Sequence, residues 1–126
     1  MDKARLKAIP LFATLDDHDL QVIATFADET SVSEGEVLVR EGDFSYELMA
    51  IEDGTAEVRR GSDVVATLGP GDFFGEIGVL ENEMRTATIV ATSSMRLITL
   101  TTWEIKRMQK MPGVMEKIEE VIASRS

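Results

Sequence analysis

The 126-residue sequence contains no cysteine and a single histidine, His18. The absence of cysteine excludes disulfides, thiolate metal sites and cysteine nucleophiles. The histidine lies among Asp16, Asp17 and Asp19 on a predicted helix, where we expect a solvated side chain and not a ligand. A histidine-dependent triad or a metal enzyme with two or three histidine ligands is therefore disfavoured. We expect a protein that is not an enzyme and that carries no metal or cofactor.

Basic residues are also few: 13 Lys and Arg stand against 23 Asp and Glu, for a net charge of −10. Proteins that bind nucleic acid or anionic membranes normally present a basic patch. The nearest approach is Lys106, Arg107 and Lys110, interleaved with Trp103 and Met108 at helical spacing. We interpret these cations as the solvated face of a helix, and we expect Trp103 to pack in the core. Neither nucleic acid nor a membrane is therefore an expected partner.

Long apolar runs are absent as well, and no basic-then-apolar leader opens the chain. These absences argue against a membrane span and against secretion, so we expect a cytoplasmic protein. Hydrophobic residues make up 44% of the sequence, which is enough to bury a core. A chain of this length typically forms one domain, predicted here to cover residues 1–126.

Helical patterns occupy the beginning of the chain. A short helix is predicted over Asp2 to Ile9, ended or kinked by Pro10. A second helix is predicted over residues 15–26, with Thr14 as its N-cap and acidic residues in its first turn. Apolar residues recur at helical spacing in this segment, namely Leu20, Ile23, Ala24 and Ala27.

The middle of the chain changes to short runs of period two, broken by glycine-containing turns at intervals typical of all-β folds. Asp53-Gly54 and Gly61-Ser62 are predicted hairpin turns. Two further strands are predicted over Thr86 to Ala91 and Met95 to Leu100. The pattern favours an α+β, mainly β protein: an antiparallel β-roll or jelly-roll barrel flanked by N-terminal and C-terminal helices.

Helix returns at the end of the sequence. Thr101 and Glu104 match a capping box, so a helix is predicted from there to about Lys110. Pro112-Gly113 breaks it. An apolar stripe from Val114 to Ile122 then predicts a final helix that packs on the barrel, covers a ligand or pairs with a second subunit.

One stretch, Gly71 to Ala91, indicates a binding site. Arg85 is the only cation between Gly61 and Met95, where the acidic residues are Asp63, Asp72, Glu76, Glu81 and Glu83. Backbone N–H groups near Gly75 and Gly78, together with one bidentate guanidinium, suit capture of a single phosphate. From the charge pattern alone, however, a structural pairing of Arg85 with a neighbouring glutamate is the simpler interpretation.

These segments together resemble the cyclic nucleotide-binding domain family, which includes the catabolite activator and the protein kinase regulatory domains. The resemblance covers nearly the whole chain. Its helical lead-in is Ile9-Pro10-Leu11-Phe12, and its three barrel turns are residues 34–36, 41–43 and 52–54. Its phosphate-binding cassette is Gly71-Asp72-Phe73-Phe74-Gly75-Glu76 leading to Arg85-Thr86-Ala87-Thr88, and its two closing helices are Trp103 to Ile122. It implies a double-stranded β-helix type of roll.

The resemblance also implies residue roles. Arg85 would bind the exocyclic phosphate, Glu76 would accept from the ribose 2′-hydroxyl, and Thr86 would place its hydroxyl on the phosphate. Backbone contacts would come from Gly75, Ile77 and Gly78. The implied ligand is cAMP or cGMP. Threonine after the arginine resembles cGMP-dependent kinase sites, but bacterial cAMP receptors commonly carry serine or threonine there, so cAMP is favoured.

Two alternatives stay open. The family often has proline before the arginine, whereas this sequence has Met84, which is compatible with a nucleotide-independent protein–protein interaction module of the same fold. The chain could equally be a regulatory domain excised from a larger transcription factor, channel or kinase. In either case we expect signalling through the C-terminal helices, an effector that the sequence does not identify, and a possible homodimer.

Overall fold

The computed structural model of the protein describes residues 1–42, 47–74 and 87–124. Within these ranges helices stand at both ends of the chain and strands lie between them. The elements are α1 (Lys3–Lys7), a 3₁₀ helix (Pro10–Phe12), α2 (Asp17–Phe26), β1 (Asp28–Val32), β2 (Val37–Val39), β3 (Glu47–Asp53), β4 (Ala56–Arg60), β5 (Asp63–Leu68), β6 (Phe73–Phe74), β7 (Thr88–Ala91), β8 (Met95–Thr101), α3 (Thr102–Gln109) and α4 (Val114–Ser124).

The strands form two antiparallel four-stranded sheets. Sheet A has the order β1-β8-β3-β6, and sheet B has the order β2-β7-β4-β5. Strands adjacent in sequence therefore often lie in different sheets, so the chain passes repeatedly from one sheet to the other, as it does in a roll. The predicted antiparallel β-roll with flanking helices is confirmed.

Of the two predicted hairpin turns, one is confirmed and one is wrong. Gly61-Ser62 joins β4 to its antiparallel partner β5. Asp53-Gly54 instead carries the chain from sheet A to sheet B. Gly54 has φ of +94°, and a Cβ built there would lie 2.4 Å from the carbonyl oxygen of Ser94. The glycine thus serves a close approach between two backbone segments, a role that Asp-Gly does not reveal in sequence.

The start of the second helix also differs from the prediction. Asp16, and not Thr14, is the N-cap of α2, and its Oδ1 accepts a hydrogen bond from the Asp19 N–H at 2.9 Å. With this cap, Leu15 precedes the cap and Leu20 is the fourth helical residue. Both are buried in one cluster, in the positions of a hydrophobic staple. Burial of Leu15 accounts for the later start of the helix.

The C-terminal helices begin and end as their sequence signals predict. The Thr101 Oγ1 accepts from the Glu104 N–H at 3.4 Å, and the Glu104 Oε2 accepts from the Thr101 N–H at 2.6 Å. The helix α3 ends at Gln109, and Gly113, with φ of +77°, precedes α4. No helix in the described part of the chain is long and apolar enough to cross a membrane.

Buried side chains form two clusters on opposite faces of sheet A. The first, the helical cluster, joins the N-terminal helices, α3, α4 and one face of sheet A. The second, the inter-sheet cluster, lies between the two sheets. The strand β8 serves both, since Ile98 and Leu100 belong to the helical cluster, whereas Met95 and Leu97 belong to the inter-sheet cluster. Sheet A is therefore the layer that connects the roll to the helices.

Candidate functional site

The predicted ligand-binding residues fall between β6 and β7. All six of them, Gly75, Glu76, Ile77, Gly78, Arg85 and Thr86, lie outside the described residues. The chain leaves an edge strand of sheet A at Phe74 and is described again from Ala87, just before a strand of sheet B that pairs on both sides. The structure thus gives the frame that holds the two ends of this segment.

A tight turn fixes the entry to the segment. The Asp72 Oδ2 accepts from the Gly69 N–H at 2.8 Å, and the Asp72 N–H donates to the Gly69 carbonyl at 3.0 Å. Ile51 of β3 clamps the same turn, because its N–H donates to the Asp72 carbonyl at 2.8 Å and its carbonyl accepts from the Gly71 N–H at 2.9 Å. Four hydrogen bonds therefore set where the segment begins.

The N-terminal 3₁₀ helix touches this entry turn. Gly71 has φ of +92°, and a Cβ built there would lie 3.4 Å from the Cγ of Pro10. The same 3₁₀ helix packs against α4. The entry turn, the 3₁₀ helix and the last helix therefore form one continuous set of contacts.

Two adjacent phenylalanines join the entry strand to both cores. Phe74 is buried in the inter-sheet cluster, and Phe73 is half-buried and packs against the helical cluster. Successive side chains of a strand point to opposite faces, which explains why the pair reaches both. Phe74 is thus a core residue, and Phe73 is a partly buried neighbour of the other core.

At the exit, Thr88 begins β7 and pairs with Arg59 of β4. Its Oγ1 accepts from the Glu41 N–H at 3.0 Å, which fixes the connection after β2. Thr88 is thus a strand residue, as predicted. Met49 of β3 and Val58 of β4 are half-buried against the inter-sheet cluster.

An ion cluster that sequence reasoning missed lies beside the entry turn. The Arg5 guanidinium donates to both carboxylate oxygens of Glu52, at 2.9 and 2.6 Å, and also pairs with Glu29. Arg96 lies 3.9 Å from the same glutamate. The hydrogen bond from Arg5 holds the pKa of Glu52 below its usual range, and the two carboxylates raise the pKa of Arg5. The cluster ties α1 to three strands of sheet A.

A cavity of about 250 Å³ lies next to this cluster. Its lining comes from α1 and the two residues after it, the 3₁₀ helix, β3 and the entry turn: Arg5, Ala8, Ile9, Pro10, Ile51, Glu52, Pro70 and Gly71. The only cation in this lining is already bound by two carboxylates, so the cavity lacks the free positive charge that a phosphate needs. It is a feature of the frame and not the predicted phosphate site.

Trp103 contradicts the prediction of core packing, since 76% of its surface is exposed. The buried face of α3 is set by Ile105 and Met108. Trp103 lies two residues before Ile105, which turns its side chain away from that face at about 100° per residue. His18 is exposed, as predicted, and the described ranges hold no group of His, Cys, Asp and Glu suited to a metal.

Comparison with known proteins identifies the class. The family model for the cyclic nucleotide-binding domain matches residues 29–110, which run from β1 to the end of α3. The chain therefore belongs to the cyclic nucleotide-binding domain family. The matched range contains the whole segment between β6 and β7.

Particular relatives are regulatory proteins. The cAMP-dependent protein kinase regulatory subunit of Schizosaccharomyces pombe is 36% identical over 95 residues, which cover 75% of this chain and 23% of that protein. The N-terminal domain of a transcriptional regulator from Streptomyces coelicolor superposes with a TM-score of 0.81 at 27% identity, covering 96% of this chain and 91% of that one. The catabolite activator protein of Thermus thermophilus, at 24% identity and a TM-score of 0.79, shares the fold over 92% of this chain and 57% of its own. The chain spans less than a third of the curated relatives it matches.

Proposed function

We propose that this protein is a regulatory sensor that binds a cyclic nucleotide on the segment between β6 and β7. The observation that carries the proposal is the position of this segment inside the matched family range, with its one arginine and with both ends held by the two sheets. The chemistry fits, because a cyclic phosphate carries one negative charge and needs one bidentate cation with nearby N–H donors.

Two side chains carry most of the recognition. Arg85 binds the exocyclic phosphate, and Glu76 accepts a hydrogen bond from the ribose 2′-hydroxyl. That hydroxyl needs an acceptor once it leaves water, because a buried donor without a partner is costly. Thr86 adds its hydroxyl to the phosphate, and the remaining contacts are backbone groups of Gly75, Ile77 and Gly78.

Arg85 can be tested by calorimetric titration of the Arg85→Gln variant. We expect binding to weaken by roughly 2–3 kcal/mol, or about 30- to 150-fold, because a charge-assisted contact is lost. Lys7→Gln is the matched control, since Lys7 is exposed on α1, which pairs with neither strand that flanks the segment, and its affinity should equal that of the wild type. Equal affinity in both variants would remove Arg85 from the phosphate site.

The favoured ligand is cAMP. The similarity to a protein named as a cAMP-dependent kinase regulatory subunit supports this choice, and Thr86 is compatible with either base. Competition of unlabelled cAMP and cGMP against a fluorescent cAMP analogue measures the preference directly. We expect cAMP to compete more strongly, and we expect Thr86→Ala to weaken cGMP more than cAMP. A preference for cGMP in the wild type would overturn the assignment.

The signal is a rearrangement of α3 and α4 over the ligand. Gly113 breaks the two helices apart, and α4 packs on the 3₁₀ helix that touches the entry turn. Differential affinity of the ligand for a closed arrangement would drive the change. Hydrogen exchange with and without cAMP tests it: exchange over residues 114–124 should slow, and exchange over β1, an edge strand that pairs with neither β6 nor β7, should not change. Equal slowing in both regions would indicate general stabilisation only.

Met84 favours a second candidate, a nucleotide-independent protein–protein interaction module of the same fold. This candidate predicts a folded wild-type protein that binds neither cAMP nor cGMP. Because the chain spans less than a third of the matched relatives, either candidate is compatible with a regulatory domain that works within or beside a larger protein.

A further inference from the structure

The surface of α3, taken together with its C-cap Lys110, carries an aromatic side chain and three cations that the proposed nucleotide site does not use. Trp103, Lys106, Arg107 and Lys110 are all exposed, and we call them the α3 basic face. At about 100° per residue, the four positions fall within roughly one quarter to one third of the helix circumference. A protein of net charge −10 therefore concentrates three positive charges and its single tryptophan on one side of one helix.

The face is ordered by contacts among its own members and their neighbours. The Lys106 ammonium lies 5.2 Å from the centroid of the Trp103 ring, and the Arg107 guanidinium lies 4.8 Å from the centroid of the Phe26 ring. Phe26 packs against the helical cluster, so Arg107 is held against a side chain whose own position is fixed by the core. Such cation–π contacts reduce the freedom of the long side chains before any partner arrives.

Acidic neighbours do not neutralise this charge within the described ranges. Glu104, the one acid of α3, turns back to the start of the helix and accepts from the Thr101 N–H. The ion pairs found in the described residues involve none of the three cations. Interaction with the helix dipole explains cations near the end of α3. It does not explain an indole that is 76% exposed beside them.

We propose that the α3 basic face is a docking surface for an acidic peptide segment of a partner protein, with Trp103 as its apolar anchor. Tryptophan and arginine are the residue types that most often carry binding energy at interfaces. Charge complementarity selects the occupant: three cations attract a run of carboxylates over about 8 Å at physiological salt. The proposal is independent of nucleotide binding.

Trp103 also provides the test, since it is the only tryptophan in the chain. The probe is a short acetylated peptide in which pairs of glutamates alternate with single leucines, and its match has glutamine at every glutamate. We expect the acidic peptide to shift Trp103 emission to shorter wavelength and to protect it from acrylamide, with little effect from the glutamine peptide. Equal effects of the two peptides would overturn the proposal.

Two triple variants of equal net charge separate a local site from general attraction. The first is Lys106→Gln, Arg107→Gln and Lys110→Gln, and the control is Lys7→Gln, Arg40→Gln and Arg60→Gln, at exposed positions elsewhere in the chain. We expect affinity for the acidic peptide to fall at least about tenfold in the first triple and less than about twofold in the control. Equal losses would overturn the proposal. Urea unfolding checks that both triple variants stay folded.

A further variant, Trp103→Ala, removes the proposed anchor. Its affinity for the acidic peptide, measured by the anisotropy of labelled peptide, should also fall about tenfold.

Other occupants give different results, and each would overturn the proposal. A Trp103 shift with phosphatidylserine vesicles or single-stranded DNA, but not with the acidic peptide, would assign the face to a membrane or to nucleic acid. A shift that depends only on protein concentration would assign it to a second copy of the chain, whose α4 exposes Glu116, Glu119 and Glu120.

Discussion

Strands β8 and β5 differ in how many of their residues are buried, and this difference shows where the stability of the fold lies. The central strand β8 has five of seven residues buried, because helices cover one of its faces and sheet B covers the other. The edge strand β5 has none buried, and its Val64 and Val65 are each 51% exposed. Both strands are rich in β-branched or apolar residues, so composition alone does not separate them.

This difference reflects the position of sheet A, which packs against both the helices and sheet B. It contacts the N-terminal helices, α3 and, through β3 and β6, the entry to the predicted binding segment. The β4–β5 hairpin, in contrast, pairs with the rest of the molecule mainly through β4 and β7. We therefore expect side-chain truncations on β8 to destabilise the fold strongly and truncations on β5 to have little effect.

The largest effect should come from truncating a side chain of β8. Ile98 is 1% exposed, and Ile98→Ala should destabilise the fold by about 2–5 kcal/mol through lost transfer energy and a residual cavity. Val65→Ala on β5 should change stability by less than about 0.5 kcal/mol. Urea unfolding midpoints measure both. Similar losses for the two variants would mean that the hairpin is as integral to the fold as the centre of sheet A.

A second contrast uses two turn glycines with positive φ. Gly54→Ala would place a Cβ 2.4 Å from the Ser94 carbonyl oxygen, so we expect a cost of about 2–4 kcal/mol from overpacking and backbone strain. Gly61, in the β4–β5 turn, has open space around it, and Gly61→Ala should cost about 1 kcal/mol from its φ of +60° alone. Thermal unfolding of both variants decides. A Gly54→Ala variant as stable as Gly61→Ala would show that the Ser94 segment moves aside freely.

The junction between β8 and α3 should show a smaller effect. Thr101→Ala removes the hydroxyl that accepts from the Glu104 N–H and should cost about 1 kcal/mol. Thr101→Ser keeps the cap and serves as the control, with a loss well below that of alanine. Chemical unfolding measures the difference, and equal losses in the two variants would point to packing and not to the cap.

The smallest effect is the pH dependence of the ion cluster beside the entry turn. The folded pKa of Glu52 is lowered by Arg5, so its contribution to stability is present above the unfolded pKa and is lost as pH falls through the folded pKa. We expect the stability difference between wild type and Glu52→Gln to be full near neutral pH and to shrink below about pH 4. Asp63→Asn on exposed β5 is the control. A difference that stays constant across this range would argue against the ion pair as its cause.

Much of the fold follows from local signals in the sequence. The capping box at Thr101, the hairpin at Gly61-Ser62 and the final helix from Val114 depend on residues a few positions apart, and the structure contains all three. The errors have physical causes of the same kind. Asp53-Gly54 fits a hairpin equally well as a crossing between sheets, because only the position of the Ser94 segment distinguishes them.

Contacts between segments that are far apart in the sequence could not be predicted from local patterns. The pairing of Arg5 with Glu52 spans 47 positions, and the contact of Pro10 with Gly71 requires the folded arrangement of both ends. For the candidate site, the comparisons show the family that the sequence resembles, but the six predicted binding residues lie outside the described ranges. The roles of Glu76, Arg85 and Thr86 remain predictions that ligand binding has to test.

Calorimetric titration of the wild-type protein with cAMP, followed by cGMP, tests the central claim most directly. We predict binding of one nucleotide per chain at micromolar or tighter affinity, with cAMP preferred. A protein that unfolds cooperatively, and is therefore folded, yet binds neither nucleotide would contradict the sensor function and favour a nucleotide-independent interaction module.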